Sequence, residues 1–509
     1  MQYLLTTDYL IAALQDTKSD QVLDLCRKKE IRGWVLSTSI PILHDRLCQT
    51  QQRTTVKKTL QQLLEILAVL PQTAWDIRKS LDASETDFAV TLAVTAVCAF
   101  KLNGLVTLQP DAYKGTQVQA VTPGDVVRIL QAGKKTESVP LLDIPASYHE
   151  ILEDVEREMA EVTRSGYFIL GPQVAALEEK IAAYCGSKYA VGVSSGTDAL
   201  LISLMAAGIG HGDEVITTPF TFYATVGSIA RTGAKPVFVD IDPTSYNMRP
   251  EQIENKITGK TRAIIPVHLY GQCVDMDPVL EVARKHGLVV IEDAAQAIGS
   301  AYKNRKAGSL GEYGCFSFFP TKNLGGVGDA GMVTTSSEAC FEKLKTLRVH
   351  GSKIKYFHEA VGGNFRLDTL QAAAISAKLK YLDRWTNKRR ENALHYNQLF
   401  EKQGLQNHIQ PPSEVFPLHV YNQYVIRVKS GGAKRDELRK HLLAKKVATE
   451  IYYPHPMHLQ ECFTSLGYRS GDFPESEKAA EEVLALPIYP ELTGEQLEYV
   501  VHSIKDFFK

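Results

Sequence analysis

The sequence predicts an α/β protein whose larger part is built on a mainly parallel sheet. Between residues 188 and 295, short runs rich in β-branched residues alternate with helical stretches. The strand-like runs read YAVGV, EVITTP, KPVFVDI, RAIIPVHLYG and LVVIEDAA. This alternation is typical of a parallel sheet covered on both faces by helices. Ligands of such sheets bind outside the carboxyl ends of the strands, so the residues that follow each strand are the candidates for function.

Length and composition limit the class of protein. The chain has 509 residues, which at ~150 residues per domain predicts about three structural units. Apolar residues make up 44% and charged residues 23%, which is typical of a soluble globular protein and excludes a disordered or collagen-like chain. Because 57 basic residues balance 58 acidic ones, neither nucleic acid nor an acidic membrane is an expected partner.

The cysteines and the apolar segments predict a cytoplasmic location. The eight cysteines lie far apart and form no CxxC pair, which favours reduced thiols over a zinc ribbon or disulfides. The start, MQYLLTTDYL, has no basic residues and makes a poor signal peptide. The run 88–100, FAVTLAVTAVCAF, is too short to span a bilayer and is predicted to be a buried helix or core segment.

A change of composition divides the chain. Residues 131–147, QAGKKTESVPLLDIPAS, carry the Gly, Pro, Ser and Lys typical of a linker. We therefore predict a domain at 1–130, a linker at 131–147, a large domain at 148–380 and a small C-terminal domain at 381–509. The last of these reads as helices around a strand, YNQYVIRV, and suits a smaller α+β lobe with Thr493 as the N-cap of its final helix.

Two segments that follow strands suggest contacts with a phosphate and with a flat ring. The sequence SSGTDAL at 194–200 opens a helix, and free N–H groups with the helix dipole favour a phosphate there. From these residues alone an ordinary N-cap is the favoured interpretation, because Ser and Thr are common capping residues. Phe222, in the run FTFY, can stack on a heterocycle or belong to the core.

Two further segments carry an acid and a lysine. Asp293 follows LVVIE, where a carboxylate is costly unless it is paired, for example with a protonated ring nitrogen, or caps a helix. Lys322 lies in CFSFFPTKNLGG between apolar, Pro and Gly residues. Desolvation there would lower its pKa and supply the neutral amine that Schiff-base chemistry needs. A lysine facing water is the alternative. Together the four segments form the parts of a pyridoxal 5′-phosphate (PLP) site.

From about Pro140 to the C-terminus, the chain resembles the sugar aminotransferases of the DegT/DnrJ/EryC1/StrS family, which have the type I PLP-dependent fold. The resemblance is carried by SSGTDAL, GDEVITTPFTF, VFVDID, PVHLYGQ, IEDAAQAIG, FSFFPTKNLGG and GGNFRLDTLQAA. It implies PLP as cofactor and a homodimer with shared active sites.

The resemblance assigns roles to individual residues. Lys322 is the expected catalytic residue, which forms the Schiff base with PLP and moves the substrate proton. Asp293 is expected at the pyridine nitrogen and Gln296 near the ring's 3-hydroxyl, with Phe222 stacked on the ring. The expected phosphate ligands are Gly196, Thr197, Ser317 and, from the neighbouring subunit, Asn364.

The resemblance also indicates the substrates. It implies that L-glutamate donates an amino group to a nucleotide-linked keto sugar. The stretch YYPHPMHLQ looks most like enzymes acting on UDP-linked 3-keto sugars of surface-polysaccharide pathways. Tyr453 and His458 are candidates for the sugar pocket, with packing of the small lobe as the alternative. Arg366 is a candidate partner of a substrate carboxylate or a member of a structural ion pair.

Residues 1–130 fall outside that family and resemble a degenerate PIN-like nuclease domain. A nuclease of this kind clusters carboxylates around a divalent metal, and Asp8, Asp87 and Asp111 are weak candidates. The usual further glutamate has no clear counterpart, Asp45 being the nearest acid, so a scaffolding or regulatory module is the preferred interpretation. Two alternatives to the aminotransferase stay open: a non-catalytic regulator that binds PLP or sugar, and a PIN-type ribonuclease carried on a dimeric platform.

Overall fold

The computed structural model describes residues 1–15, 21–70, 88–100, 102–114, 116, 118–126, 138–148 and 150–509. These residues belong to two compact units, Met1–Lys135 and Thr136–Lys509. Asp87 and residues 131–137 of the predicted linker lie outside the described residues. Residues 138–148 are part of the second unit, where Val139 pairs with Val447 in a parallel bridge.

The first unit contains a five-stranded parallel sheet. Its strands are β1 (Gln2–Leu5), β2 (Arg32–Leu36), β3 (Leu67–Leu70), β4 (Gly104–Val106) and β5 (Ala120–Val121), in the order β3-β2-β1-β4-β5. The helices are α1 (Thr7–Gln15), α2 (Gln21–Arg27), α3 (Ser39–Leu47), α4 (Arg53–Ile66) and α5 (Phe88–Ala99). Helix α5 thus covers most of the apolar run 88–100, as predicted. Its Leu92, Ala93 and Val97 are buried against one face of the sheet.

A seven-stranded sheet forms the centre of the second unit. Its strands are β6 (Tyr189–Val193), β7 (Glu214–Thr217), β8 (Lys235–Phe238), β9 (Thr261–Ile264), β10 (Val289–Asp293), β13 (Tyr313–Ser317) and β14 (Gly331–Thr335). They lie in the order β6-β14-β13-β10-β9-β7-β8, and β14 is antiparallel to both neighbours whereas the other pairs are parallel. The predicted mainly parallel sheet is confirmed. Consecutive β-branched and apolar residues form these strands because both faces are covered by helices.

Helices of the second unit cover the sheet and build the C-terminal lobe. They are α6 (Ile144–Tyr148), α7 (Leu152–Ser165), α8 (Pro172–Cys185), α9 (Gly196–Ala206), α10 (Tyr223–Arg231), α11 (Met276–His286), α12 (Glu338–Arg348), α13 (Thr369–Leu379), α14 (Leu382–Lys402), α15 (Gly432–Ala444), α16 (Pro474–Glu482) and α17 (Gly494–Phe508). Two short antiparallel pairs, β11 (Ala301–Tyr302) with β12 (Arg305–Lys306) and β15 (Ser352–Ile354) with β16 (Phe357–His358), complete the part before α13.

The C-terminal part has its own antiparallel sheet. Strands β17 (Ile409–Gln410), β18 (Tyr424–Val428) and β19 (Val483–Leu486) pair in that order and share a core with α14 and α17. Thr493 caps α17 as predicted: its hydroxyl accepts from Gln496 N, while the Gln496 side chain accepts from Thr493 N. Such a capping box satisfies two N–H groups that the helix itself leaves unpaired.

Two further sequence predictions concern cysteines and membranes. All eight cysteines are free thiols, and five of them are buried. Among the helices of the described residues, none combines the length and apolar character needed to cross a bilayer.

Candidate active site

The candidate site lies at the carboxyl edge of the seven-stranded sheet. Strands β6, β7, β10 and β13 all end at this edge, and the segments that follow them line a cavity of about 580 Å³. The lining includes all but one of the residues predicted to hold PLP: Gly196, Thr197, Phe222, Asp293, Gln296, Ser317 and Lys322. Adjacent parallel strands bring these residues together although up to 126 positions separate them, from Gly196 to Lys322.

Lys322 follows β13 in a tight turn, in which its backbone N–H donates to the Phe319 carbonyl at 2.9 Å. Burial among apolar groups lowers the pKa of its amine to about 8, although the nearby Asp293 carboxylate acts in the opposite direction. The side chain keeps partial exposure only because it opens into the cavity. An appreciable share of the amine is therefore neutral near physiological pH, as a nucleophile toward an aldehyde must be.

Asp293 ends β10 and is 5% exposed. One carboxylate oxygen accepts from the Thr225 hydroxyl at 2.7 Å, and the other accepts from Ala295 N at 3.2 Å. Desolvation raises the pKa of Asp293, while the bonds from Thr225 and Ala295 and the Lys322 charge lower it. A carboxylate held in this way gains most from a cationic partner inside the cavity, such as a protonated ring nitrogen.

The first turn of α9 forms an anion-binding corner. The Ser195 hydroxyl caps the helix by accepting from Asp198 N at 3.0 Å. A side chain at Gly196 would place its Cβ 2.6 Å from the Ser317 Cβ, so glycine allows the helix start and the end of β13 to approach closely. Ser317 Oγ accepts from Phe319 N and keeps its proton to donate. Main-chain N–H groups and a hydroxyl thus point to one small volume, as a phosphate requires.

Aromatic residues close the opposite side of the cavity. Phe222 precedes α10 and is 54% exposed, and its ring centre lies 6.0 Å from that of Tyr453. Gln296 accepts from Tyr270 N at 2.6 Å and donates to the Tyr453 hydroxyl at 2.9 Å. Burial raises the pKa of the Tyr453 hydroxyl. Phe222, Gln296 and Asp293 line one cavity, so Phe222 could stack on a planar ring whose polar groups contact Gln296 and Asp293.

A buried pair that the sequence did not reveal supports this edge of the sheet. His268 follows β9 and contacts Glu292 through Nε2 at 2.9 Å, while its Nδ1 accepts from Val274 N. Glu292 also accepts from the N–H groups of Gly308, Leu310 and Gly311. Because alternate residues of a strand face opposite sides, Glu292 fixes the loop behind the sheet while Asp293 faces the cavity.

Thr225 was also not predicted. It lies in the first turn of α10, three residues after Phe222, and its hydroxyl contacts both Thr221 and Asp293. The only signal in the sequence is its spacing of four residues from Thr221, which lies just before α10.

Three predicted residues lie outside the cavity of their own chain. Asn364 is exposed and pairs with Val349 in an antiparallel bridge, whereas Arg366 pairs with Val193 and is half-buried. His458 packs on the Phe473 ring, with 4.8 Å between ring centres, and contacts Glu477 at 3.1 Å. His458 was expected to line the sugar pocket, but it does not line the cavity. The turn at residues 457–459 directs it instead toward Phe473 and its aromatic neighbours in the small lobe. Of the predicted sugar-pocket residues, Tyr453 lines the cavity.

The acids of the first unit do not form a metal cluster within the residues that the structure describes. Asp8 lies at a cavity of this unit. Asp111 is 81% exposed and pairs with Lys114 at 2.7 Å, and Asp45 contacts His44 at the surface. Asp87, the third candidate, lies outside the described residues. The resemblance of this unit to PIN domains stays a prediction.

The residues of the larger cavity fit PLP. Gly196 allows the start of α9 to lie close to Ser317, Asp293 has no cationic partner at hydrogen-bonding distance among the described residues, and the Lys322 amine has the lowered pKa that condensation needs. Bound there, PLP supplies an electron sink for the bonds around the amino-bearing carbon. Gly196, Thr197 and Ser317 would hold its phosphate, Asp293 its ring nitrogen and Lys322 its aldehyde.

Comparisons with known proteins agree with this geometry. Residues 149–505 match the model of the DegT/DnrJ/EryC1/StrS aminotransferase family. The chain is 52% identical over 373 residues to the pleiotropic regulatory protein of Geobacillus stearothermophilus, covering 73% of this chain and 99% of the relative. It is 41% identical over 368 residues to the UDP-N-acetyl-3-dehydro-alpha-D-glucosamine 3-aminotransferase of Acidithiobacillus ferrooxidans, covering 72% of this chain and 97% of that relative.

Solved structures show the same relationship. The crystal structure of Streptomyces venezuelae DesV in complex with a ketimine intermediate is 40% identical and covers 73% of this chain and 98% of DesV, with a TM-score of 0.70. The chain therefore belongs to the DegT/DnrJ/EryC1/StrS aminotransferase family, has the type I fold and is an aminotransferase whose cofactor is PLP.

Proposed function

We propose that the chain transfers the amino group of L-glutamate to a UDP-linked 3-keto sugar in the biosynthesis of surface polysaccharides. The observation that carries this proposal is the Lys322 amine, whose pKa is lowered to about 8, in one cavity with the buried Asp293. The nucleotide and the keto position are supported by the name of the relative from Acidithiobacillus ferrooxidans. The cytoplasm stays the predicted location, and the free thiols are compatible with its reducing conditions.

The side chains of the cavity divide the work of transamination. Lys322, which would hold the cofactor aldehyde, would also act as the base that moves the substrate Cα proton. Asp293 would keep the ring nitrogen protonated, and the bond from the Thr225 hydroxyl favours the ionised carboxylate against the desolvation that raises its pKa. Phe222 and Tyr453 line the same cavity and would confine the reacting groups.

We also propose a homodimer with shared active sites. Large apolar side chains remain exposed on the single chain, at Tyr167–Leu170 and in the hairpin segment 352–361, where Tyr356 is 80% and Val361 is 89% exposed. Contiguous exposed apolar surface of this kind marks an interaction site. Asn364 follows that hairpin and does not line the cavity of its own chain. In a homodimer it would instead contribute to the cavity of the second copy.

A role as a regulator is the second candidate, because one relative is named a pleiotropic regulatory protein. Lys322 argues against a purely non-catalytic regulator, since binding PLP or a sugar without transamination does not require a desolvated amine. Turnover measurements separate the two functions directly.

The proposal is tested by incubating the PLP-loaded enzyme with glutamate or glutamine and a panel of UDP- and dTDP-linked 3- and 4-keto sugars. We expect 2-oxoglutarate and the aminated UDP-linked 3-keto sugar, detected by mass spectrometry, with glutamate as the better donor. Turnover of a 4-keto sugar alone would contradict the proposed position, and no turnover would favour the regulator.

Lys322→Ala is the decisive variant. We expect it to lose the visible absorbance band of bound PLP and at least about 10³-fold in transamination, the range expected for a lost base and nucleophile, while it keeps the wild-type mass in light scattering. Lys378→Met is the matched control, because burial also lowers the pKa of Lys378 to about 8 but this lysine does not line the larger cavity. Retained turnover in Lys322→Ala would refute the assignment.

A further inference from the structure

The first unit has a cavity of its own at the carboxyl edge of its sheet. Its volume is about 570 Å³, within the ~300–1,000 Å³ typical of small-molecule sites. The chain runs from β1 to β2 on one side and returns to β4 on the other, so the strand order reverses between β1 and β4. Open parallel sheets bind their ligands at this reversal point.

One end of this cavity is polar and carries the Asp8 carboxylate. Asp8 accepts from the Thr6 hydroxyl, from the Thr107 hydroxyl at 3.0 Å and from Leu108 N at 3.1 Å. The Thr7 hydroxyl donates to Ser39 at 2.8 Å. Because each of these threonines has only one hydroxyl proton, their oxygens can offer only lone pairs to a ligand.

Within the part of the chain that the structure describes, Asp8 has no counter-ion and has capacity for one more donor. A carboxylate has about four acceptor positions, of which three are taken. No lysine, arginine or histidine lies among the described residues that line the cavity, and none pairs with Asp8. Anionic ligands such as phosphates would meet a negative charge there without compensation. Of the acids that the structure describes, only Asp8 lines the cavity, whereas Asp111 and Asp45 pair with Lys114 and His44.

The other described residues of the lining are mainly apolar. Its walls are formed by residues from β1, β2, α3, α5 and the turn after β4: Leu4, Leu36, Ile42, Leu92, Ala93 and Tyr113. Leu4, Leu92 and Ala93 are buried in the core of the unit, so this wall is firm. An apolar wall facing a single charged end selects an amphipathic ligand.

We propose that the first unit is a binding module for a small organic ammonium compound with an apolar body. The ammonium group would donate to the free position of Asp8 and to the threonine oxygens, while the body would fill the space between α5 and β2. An ammonium suits this end better than a neutral hydroxyl because it supplies the charge that the half-buried carboxylate lacks. This inference is independent of the proposed transamination.

The test uses the full-length protein loaded with pyridoxamine phosphate, which has no aldehyde to react with amines. Calorimetric titration with tryptamine and tyramine is compared with their carboxylate counterparts, indolepropionate and hydroxyphenylpropionate, and with adenosine as a neutral hydroxyl donor. We expect at least one amine to bind about tenfold or more tightly than its carboxylate counterpart, as expected for a charge-assisted contact. Binding of neither amine, equal binding of amine and carboxylate, or tighter binding of adenosine would overturn the proposal.

Variants locate the binding. We expect Asp8→Asn to weaken amine binding about tenfold or more through loss of the charge. Because Asp8 also joins the ends of β1 and β4, thermal unfolding checks that this variant is folded. Ala112→Trp places a large ring at the exposed mouth of the cavity and should abolish binding without disturbing the core, whereas Asp111→Asn next to it should bind as the wild type does. Unchanged binding in folded Asp8→Asn or in Ala112→Trp would contradict the site.

Discussion

The two units of this chain place cavities of similar volume, about 570 and 580 Å³, at the carboxyl edges of two α/β sheets. What differs is the set of residues that follows the strands. In the larger unit Gly196, Thr197 and Ser317 supply donors and Lys322 an amine, whereas in the smaller unit Thr6, Thr107 and Asp8 supply acceptors. A shared architecture thus sets where a ligand binds, and a few residues at the strand ends set its charge and chemistry.

Substitution of Asp293 should give the largest effect after that of Lys322. Asp293→Asn removes the charge that holds the ring-nitrogen proton, so we expect transamination to fall about a hundred- to a thousandfold. Single-turnover kinetics with glutamate measures this loss. Asp111→Asn, an exposed acid of the first unit, is the control and should leave the rate unchanged. A loss below tenfold in Asp293→Asn would show that the carboxylate does not act on the cofactor.

The pH dependence of cofactor loading comes next in size. Only the neutral amine attacks the aldehyde, and burial lowers the pKa of Lys322 from its ordinary value to about 8. The rate of loading should therefore rise about tenfold per pH unit below pH 8 and level off above it. Stopped-flow absorbance of the cofactor-free enzyme mixed with PLP records this profile. A rate that continues to climb beyond pH 9 would mean that Lys322 titrates like a solvent-exposed lysine.

Gly196→Ala tests the anion-binding corner at the first turn of α9, a feature that distinguishes the larger unit from the smaller one. Its Cβ would lie 2.6 Å from that of Ser317, and overpacking of this kind costs about 1–3 kcal/mol, which corresponds to about tenfold or more in PLP affinity. Equilibrium dialysis measures the affinity. Gly259→Ala serves as the control because its Cβ would meet no neighbour. Unchanged affinity in Gly196→Ala would move the phosphate away from α9.

Thr225→Val should have the smallest effect. It removes the hydroxyl that donates to Asp293 at 2.7 Å and should raise the pKa of that carboxyl further. Loss of one hydrogen bond to a carboxylate predicts about a fivefold decrease in rate or more. Thr225→Ser keeps the hydroxyl and should recover most of the activity. Equal rates for the Val and Ser variants would exclude a role for this contact.

The sequence predicted the parts of the fold and of the site that follow from local order along the chain. The residues immediately after β6, β10 and β13 meet in one cavity because parallel strands end at one edge, and this topology was predicted from the alternation of strands and helices. Thr493 was identified as a cap from its position before a helical run, and the structure shows the bond.

The other features of the site depend on side-chain directions and on contacts between distant elements, which the order of residues along the chain does not specify. The sequence does not show that the turn around His458 points toward Phe473, nor that Thr225 reaches Asp293 from another element. His268, after β9, contacts Glu292 in the neighbouring β10. This contact depends on how the two strands are aligned in the sheet and not on the spacing of residues along the chain. In the first unit, the acids were chosen for their residue type, and the structure shows that Asp111 turns to Lys114 instead of joining Asp8.

The central claim is that Lys322 is the amine that condenses with PLP. Reduction of the PLP-loaded enzyme with borohydride, followed by proteolysis and mass spectrometry, fixes the cofactor to the lysine that holds it. We expect a single phosphopyridoxyl group, on Lys322. A label on Lys378, whose pKa burial also lowers to about 8, or the absence of any label, would contradict it.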